Sequence, residues 1–304
     1  MKILENFINR LTIGDAQTFN KLTIRPVFVS TDFSLPFLTL EEALEQKLLE
    51  ITEKSAGGSV PELLVKNKGK FDVIVLEGEE LRGAKQNRIV NATTIIPAES
   101  EIILPVSCVE RGRWRYTSEE FASGMNVASP ALRKVSHNAV TKNLRDDRSY
   151  ESDQSEIWSE ISRKSIRMCV ASETEAASDI LYSRVTPEVE KDLFEDIPYQ
   201  EKQIGFLAFI GGEFAGGDIF GSTQLCEKQM KKLLRGYYLD ALDSGVNFPA
   251  LDAEDVFKQI TDADHEQFES IGKGAEMRFE ADKIQGAWKL VDENVSHLTV
   301  FPKG

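Results

Sequence analysis

The chain has 304 residues, enough for one large domain or two ordinary ones with a full hydrophobic core. With 41% apolar and 28% charged residues its composition is that of a globular protein, and a formal net charge of −14 argues against nucleic acid as a partner. Its three cysteines, Cys108, Cys169 and Cys226, are far apart and form no CxxC pair, which argues against a disulfide framework or a structural zinc site, so no metal ligands are assigned.

The first segment, MKILENFINRLTIG, carries Glu5 within a broken apolar stretch. It reads as a short amphipathic helix with Ile3, Leu4, Phe7, Ile8 and Leu11 on one face, not as a secretory signal. Residues 17–31 form an early strand in which Pro26 predicts an edge or a bend. The period of LEEALEQKLLEI predicts a helix over 40–51, with Thr39 as N-cap and Glu42 completing a capping box. A loop at 55–59, a strand at 60–66 and a turn at 67–70 follow. Residues 72–76 are a continuous apolar run suited to a strand buried on both faces. Two further strands, 88–96 and 101–109, are joined by Pro97–Ser100.

Beyond Tyr116 helices dominate. Ser129-Pro130 opens a basic helix to Arg145, and 153–170 is a second, with Ile157, Trp158, Ile161 and Ile166 as core contacts. Ser172–Glu175 is a capping box before a third, and Thr186-Pro187 opens a fourth. Residues 203–220 are a hairpin around Gly211-Gly212, Ser222 caps a helix to Leu242, and 252–271 is another helix. Three strands complete the chain from Ala275. The fold class is therefore α+β: a β-rich 17–116 as a sandwich or jelly-roll-like sheet, a helical layer at 119–200, and a mixed 201–304. No run reaches the roughly 18–20 apolar residues of a membrane span, and a cytoplasmic protein with no membrane partner is expected.

The candidate chemistry centres on 77–88, EGEELRGAKQNR, directly after the buried strand. From Arg82 to Arg148 there are 11 Lys/Arg against 7 Asp/Glu, a basic island in an acidic chain that suits a small anionic ligand. Arg82, Lys85 and Arg88 can neutralise phosphate, and Gln86 and Asn87 can hydrogen-bond a sugar or a base edge. Glu77 and Glu79, two apart, share a face in extended chain and are candidate acid–base carboxylates. A charged hairpin pairing its own side chains accounts for the same residues. Arg113 and Trp114 offer an anion contact and an aromatic platform, with Trp114 as plain core the alternative. Cys108 fits a buried structural cysteine better than a nucleophile, and His297 is the histidine best placed to serve as a base. Ser129, Arg133, Lys142 and Arg145 predict one basic helix face. Asp218, between Gly217 and Phe220 on a largely apolar strand, is a further catalytic candidate, or else a turn-former. No phosphate-loop consensus is present.

The stretches LEGEELRGAKQNRIVNATTIIPA, LPVSCVERGRW, ASPALRK, SDQSEIW, GFLAFIGGEFAGGDIF and HLTVF run across residues 20–301. In them the chain resembles a prokaryotic family of domains associated with ADP-ribosylglycohydrolases and rhodanese-phosphatases. The resemblance implies one family domain over 1–304 and a place in NAD and ADP-ribose metabolism. It implies an ADP-ribose-like ligand and a partner enzyme of that metabolism. It assigns no cofactor and no catalytic residue, and so leaves open an enzyme, a ligand-sensing module and a scaffold.

Overall fold

The computed structural model describes residues 2–31, 36–54, 61–243, 245 and 248–303. The class is α+β, as the sequence predicts. Contacts cluster into two compact units, one of residues 1–35, 185–269 and 274–304, the other of residues 36–184 and 270–273.

In chain order the first unit begins with α1 (Lys2–Ile8), β1 (Leu11–Ile13), β2 (Gln17–Phe19) and β3 (Leu22–Val29). The second unit follows with β4 (Leu38–Thr39), α2 (Leu40–Glu45), β5 (Leu49–Glu53), β6 (Glu62–Asn67), β7 (Val73–Val75), β8 (Glu79–Gly83), β9 (Arg88–Val90), β10 (Thr94–Ile96), β11 (Ser100–Cys108) and β12 (Phe121–Val127). Its helices are α3 (Pro130–Asp146), α4 (Gln154–Arg167) and α5 (Ala177–Arg184). The chain then returns to the first unit through α6 (Pro187–Asp196), β13 (Gln203–Ile210), β14 (Glu213–Phe220), α7 (Thr223–Ala241), α8 (Ala253–Asp262), β15 (Asp264–Glu269), β16 (Ala275–Glu280), β17 (Ile284–Val291) and β18 (Asn294–Pro302).

In the second unit a three-stranded sheet, β10-β7-β4, and a six-stranded sheet, β12-β8-β9-β11-β6-β5, share one apolar core. Val73, Val75 and Ile96 of the smaller sheet join Leu63, Val65, Leu81, Leu104 and Val106 of the larger. This sheet-on-sheet packing is a sandwich, as predicted, but with other bounds than 17–116: residues 17–29 pair in the first unit's sheet, and 121–127, expected in the helical layer, form a strand of the larger sheet. Thr39 and Glu42 form the predicted capping box, but α2 stops at Glu45. Lys47 turns the chain at φ 56°, and 49–53 is a strand, not helix, because its alternating Leu49 and Ile51 pair along β6 into the core. The predicted strand 88–96 is broken into β9 and β10, which belong to different sheets. The predicted loop 55–59 lies outside the described residues. Of the predicted core contacts on α4, Ile157 and Ile161 are buried, whereas Ile166 is 77% exposed. Ser172 does not close a capping box; its hydroxyl bonds Asp179 and accepts from the backbone of Ala176.

The first unit is built on a nine-stranded sheet whose path is β1-β3-β13-β14-β18-β17-β16-β15, with β2 also on β3. Pro26 sits in β3 where β1 and β2 leave its outer side to different partners, so the ladder loses little from its missing N–H. The β13–β14 hairpin turns at Gly211 and Gly212, both at positive φ. The predicted helix 252–271 ends at Asp262, and 264–269 is an edge strand on β16.

Strand alternation gives this sheet two unlike faces. Across it, Ile219, Leu298, Trp288 and Met277 fall in or near one line of apolar side chains and enter the core with α1 and α8. The adjacent cross-strand row, Phe206, Asp218, Thr299, Ala287 and Arg278, points the opposite way. So does the row Phe220, His297, Lys289 and Glu276. Helix α7 packs on this second face, where Tyr237 meets the Phe206 ring edge-on with centroids 5.3 Å apart.

Candidate functional site

The 77–88 segment begins as a turn. Gly78 takes φ 86°, a conformation that disfavours any Cβ, and an added one would meet Arg133 Cγ at 2.7 Å. The Glu79 carboxylate folds back to accept the Leu76 backbone N–H at 2.7 Å. Glu77 instead approaches His137 of α3, Oε1 to Nδ1 at 3.3 Å, and its backbone N–H bonds the Thr93 hydroxyl at 3.1 Å. Both carboxylates are buried. The shared face expected of an extended chain is replaced by a turn, and each carboxylate takes a partner of its own.

From Glu80 onward the polar side chains form one connected network. Asn126 Nδ2 and Asn87 Nδ2 donate to the two oxygens of Glu80 at 2.7 and 3.3 Å. Arg113 Nη2 donates to Asn87 Oδ1 at 3.0 Å and pairs with Glu110 Oε2 at 2.7 Å. Glu110 Oε2 also accepts the Asn87 backbone N–H at 3.0 Å, and the Glu110 carbonyl accepts from Gln86 Nε2 at 2.8 Å. Arg88 Nη1 donates to Gln86 Oε1 at 3.2 Å. Arg113 further donates to the carbonyls of Ala84 at 2.8 Å, Arg115 at 3.0 Å and Gly83 at 3.3 Å. Thus Arg88 with Gln86, and Asn87 with Arg113, are joined through Glu110 and fix the course of the 83–88 loop. Burial pushes the Glu80 carboxyl above its ordinary value, an effect that Arg82 and the amide donors only partly offset. Burial acts the same way on Glu110, but the hydrogen bonds from Arg113 and the Asn87 backbone outweigh it and hold that carboxyl below the ordinary value.

The network leaves Lys85 and Arg82 toward solvent. Lys85 Nζ lies 5.2 Å from the ring centres of both Trp114 and Tyr116, two rings that are 54% and 50% exposed. Trp114 is therefore a surface residue, not plain core. Arg82 lies over the Tyr182 ring at 4.8 Å and reaches Glu80 at 3.4 Å. On α3 the predicted basic face divides, with Arg133 buried and Lys142 and Arg145 exposed. Cys108 is buried, its thiol raised by desolvation, and its Sγ approaches the Glu110 carbonyl at 3.5 Å, all of which fit the structural reading.

Asp218 belongs to the first unit. It is fully buried and does not form a turn. Tyr237 of α7 donates to its Oδ2 at 2.9 Å, and His297 Nε2 lies 3.2 Å from its Oδ1. The Phe220 ring lies beside the imidazole, centroids 4.9 Å apart. The two residues singled out from sequence thus meet, 79 positions apart, and Tyr237 completes them. In the neighbouring strands Glu276 is paired by Arg278 at 3.0 Å and by Lys289 at 2.8 Å, all three buried. These three were not singled out, since a charge on every second strand position looks like a solvated face. Cys226 sits near the Asp218 charge; burial first, and that charge second, push its thiol well above the ordinary range.

Among the described residues no group of three or more His, Cys, Asp or Glu side chains is arranged to hold a metal ion, and no helix is long and apolar enough to cross a membrane. Residues 10–301 match the family model described as the ARG and Rhodanese-Phosphatase-superfamily-associated Protein domain. No curated protein and no solved structure matches the chain.

Proposed function

The chain belongs to this family, whose name associates it with ADP-ribosylglycohydrolase and rhodanese-phosphatase enzymes, and on that premise we propose that it binds a small anionic ligand of the ADP-ribose or NAD-derived type. The observation that carries this reading is Lys85 held between the exposed rings of Trp114 and Tyr116. A flat base stacks on such rings for about 1–3 kcal/mol, and a lysine ammonium beside them is placed for phosphate. The Glu80–Asn87–Arg113–Glu110 network beneath makes the platform rigid, so little ordering entropy is lost on binding.

A non-catalytic sensing or scaffold module for a partner enzyme is the second reading. It is favoured by the engagement of Glu77 with His137 and of Glu79 with its own turn, which leaves both carboxylates in structural roles. Calorimetry with ADP-ribose and NAD, with and without Mg²⁺, tests the proposal. Binding is expected, and Trp114→Ala should weaken it by roughly tenfold or more, the equivalent of about 1.4 kcal/mol. Absence of heat with every nucleotide would refute both ligand readings. Binding without turnover in the same samples would favour the module; turnover of the bound nucleotide would favour processing.

A further inference from the structure

The rings of Trp114 and Tyr116 already carry a cation. Lys85 Nζ lies 5.2 Å from both ring centres, within the roughly 6 Å at which an ammonium is drawn to the negative face of an aromatic ring. The chain around the rings adds positive charge. Arg111 and Arg115 are exposed on either side of Trp114, and residues 111–116 contain no acidic side chain. Arg113 beneath is matched by Glu110, whereas Arg111 reaches Glu175 only at 3.9 Å. The next acidic residues, Glu119 and Glu120, come after Thr117 and Ser118, which bond back to Ala84.

Aromatic faces with no cation on them attract cationic rings and quaternary ammonium groups. Here an ammonium sits against both rings, so a positively charged ring meets its repulsion and finds the negative ring faces already engaged. A neutral base meets neither obstacle. Stacked rings have centroids about 4.5–7 Å apart. A base stacked on Trp114 or Tyr116 therefore brings any charge it carries into the range of the Debye length, roughly 8–10 Å at physiological salt. Resting on the ligand reading above, we propose that Lys85 is a specificity determinant: it makes these rings select nucleotides with a neutral ring, adenine or a reduced nicotinamide, over those with a cationic pyridinium. The end of an NAD-type ligand that stacks is then the adenine, and the oxidised nicotinamide stays off the rings. This role uses the charge and the place of Lys85, not any particular hydrogen bond.

Nicotinamide mononucleotide and its reduced form isolate the ring charge, since they share ribose, phosphate and ring size. In calorimetric competition against ADP-ribose, the wild-type protein should bind the reduced form roughly tenfold or more tightly than the oxidised one, and the ratio should shrink as salt is raised. AMP, with its neutral base, should also compete. In Lys85→Met the ratio should fall to within about threefold or reverse, because bare rings favour the cation. Any contact between Lys85 and the phosphate is lost for both ligands alike and cancels in the ratio. If Lys85→Met does not fold, the salt series on the wild-type protein decides. Equal affinity for the two forms would overturn the proposal, as would a ratio unchanged in Lys85→Met or indifferent to salt. So would failure of the reduced form to displace ADP-ribose. ADP-ribose binding lost in Trp114→Ala, with no preference between the two forms, would leave the stacking reading standing and refute this one. Absence of heat with ADP-ribose, AMP and both mononucleotides would refute the stacking reading, and the selectivity with it.

Discussion

Arg113→Met should be among the most destabilising single substitutions in the second unit. Arg113 is 9% exposed and holds Glu110, Asn87 and the carbonyls of Gly83, Ala84 and Arg115 from one planar fork. Methionine fills much of the stem volume but supplies no donor. It leaves the Glu110 carboxylate buried without its cation, a change that costs about 3–5 kcal/mol when a buried pair is broken on one side. Each carbonyl that water cannot reach adds about 1–3 kcal/mol, and the contributions overlap because they share one side chain. A net loss of about 3–5 kcal/mol is expected. Arg113→Lys keeps the charge but not the fork, so it should lose about half as much. Chemical denaturation followed by tryptophan fluorescence measures this, since Trp114 and Trp158 both lie in this unit. The pH dependence gives an independent check. Glu110 has a folded value below its ordinary 4.5, so the native state binds fewer protons there than the unfolded chain. Its stabilisation is complete above that ordinary value and fades as pH falls through the folded one. Arg113→Met should remove this acid-limb contribution along with the neutral-pH loss. A cost below about 1 kcal/mol, or an unchanged acid limb, would refute the view that this guanidinium organises the loop.

Three further outcomes follow from the same geometry. Gly78→Ala places a Cβ at positive φ and against Arg133, so it should cost about 2–4 kcal/mol from strain and overpacking together, read as a lower denaturation midpoint. Glu80 behaves oppositely to Glu110: its folded value is raised, so its contribution falls as pH rises from 4.5 through that value, and Glu80→Gln should flatten the stability profile in that window. Cys169 is exposed while Cys108 and Cys226 are buried with raised thiols, so a thiol reagent should label one cysteine quickly in the native protein and all three after denaturation; fast labelling of a second would contradict the burial.

What the sequence made legible was mostly local. The Thr39–Glu42 capping box, the Ser222 cap and the Gly211-Gly212 hairpin all rest on contacts within a few residues, and each formed. Residues 49–53 and 264–269 misled because their helical period competes with sheet pairing, and the partner strand settles the outcome. At the candidate site, 77–88 was visible as a dense polar segment. Its inward and outward halves were not, because that division depends on Arg113, Glu110 and Asn126 arriving from elsewhere in the chain. Asp218 and His297 were visible singly, as polar residues on apolar strands. Tyr237 was hidden among helix residues of similar appearance, and Glu276, Arg278 and Lys289 resembled solvent-facing charges. Only the strand register shows that their face is interior.

The order in which the elements leave the ribosome acquires a meaning from the pairing of β3 with β13. Residues 22–29 are made early and wait for 203–210 before their ladder can close, while the whole of 36–184 is synthesised in between. That intervening stretch is itself completed late. Gly272 bridges Ile95, and Lys273 donates to the Ile95 carbonyl and pairs with Asp72 at 3.2 Å. A premature stop near residue 270 would therefore remove β16, β17 and β18 from one unit and the strap on Ile95 and Asp72 from the other, so truncated nascent chains should present open strand edges in both and be cleared by quality control as misfolded species.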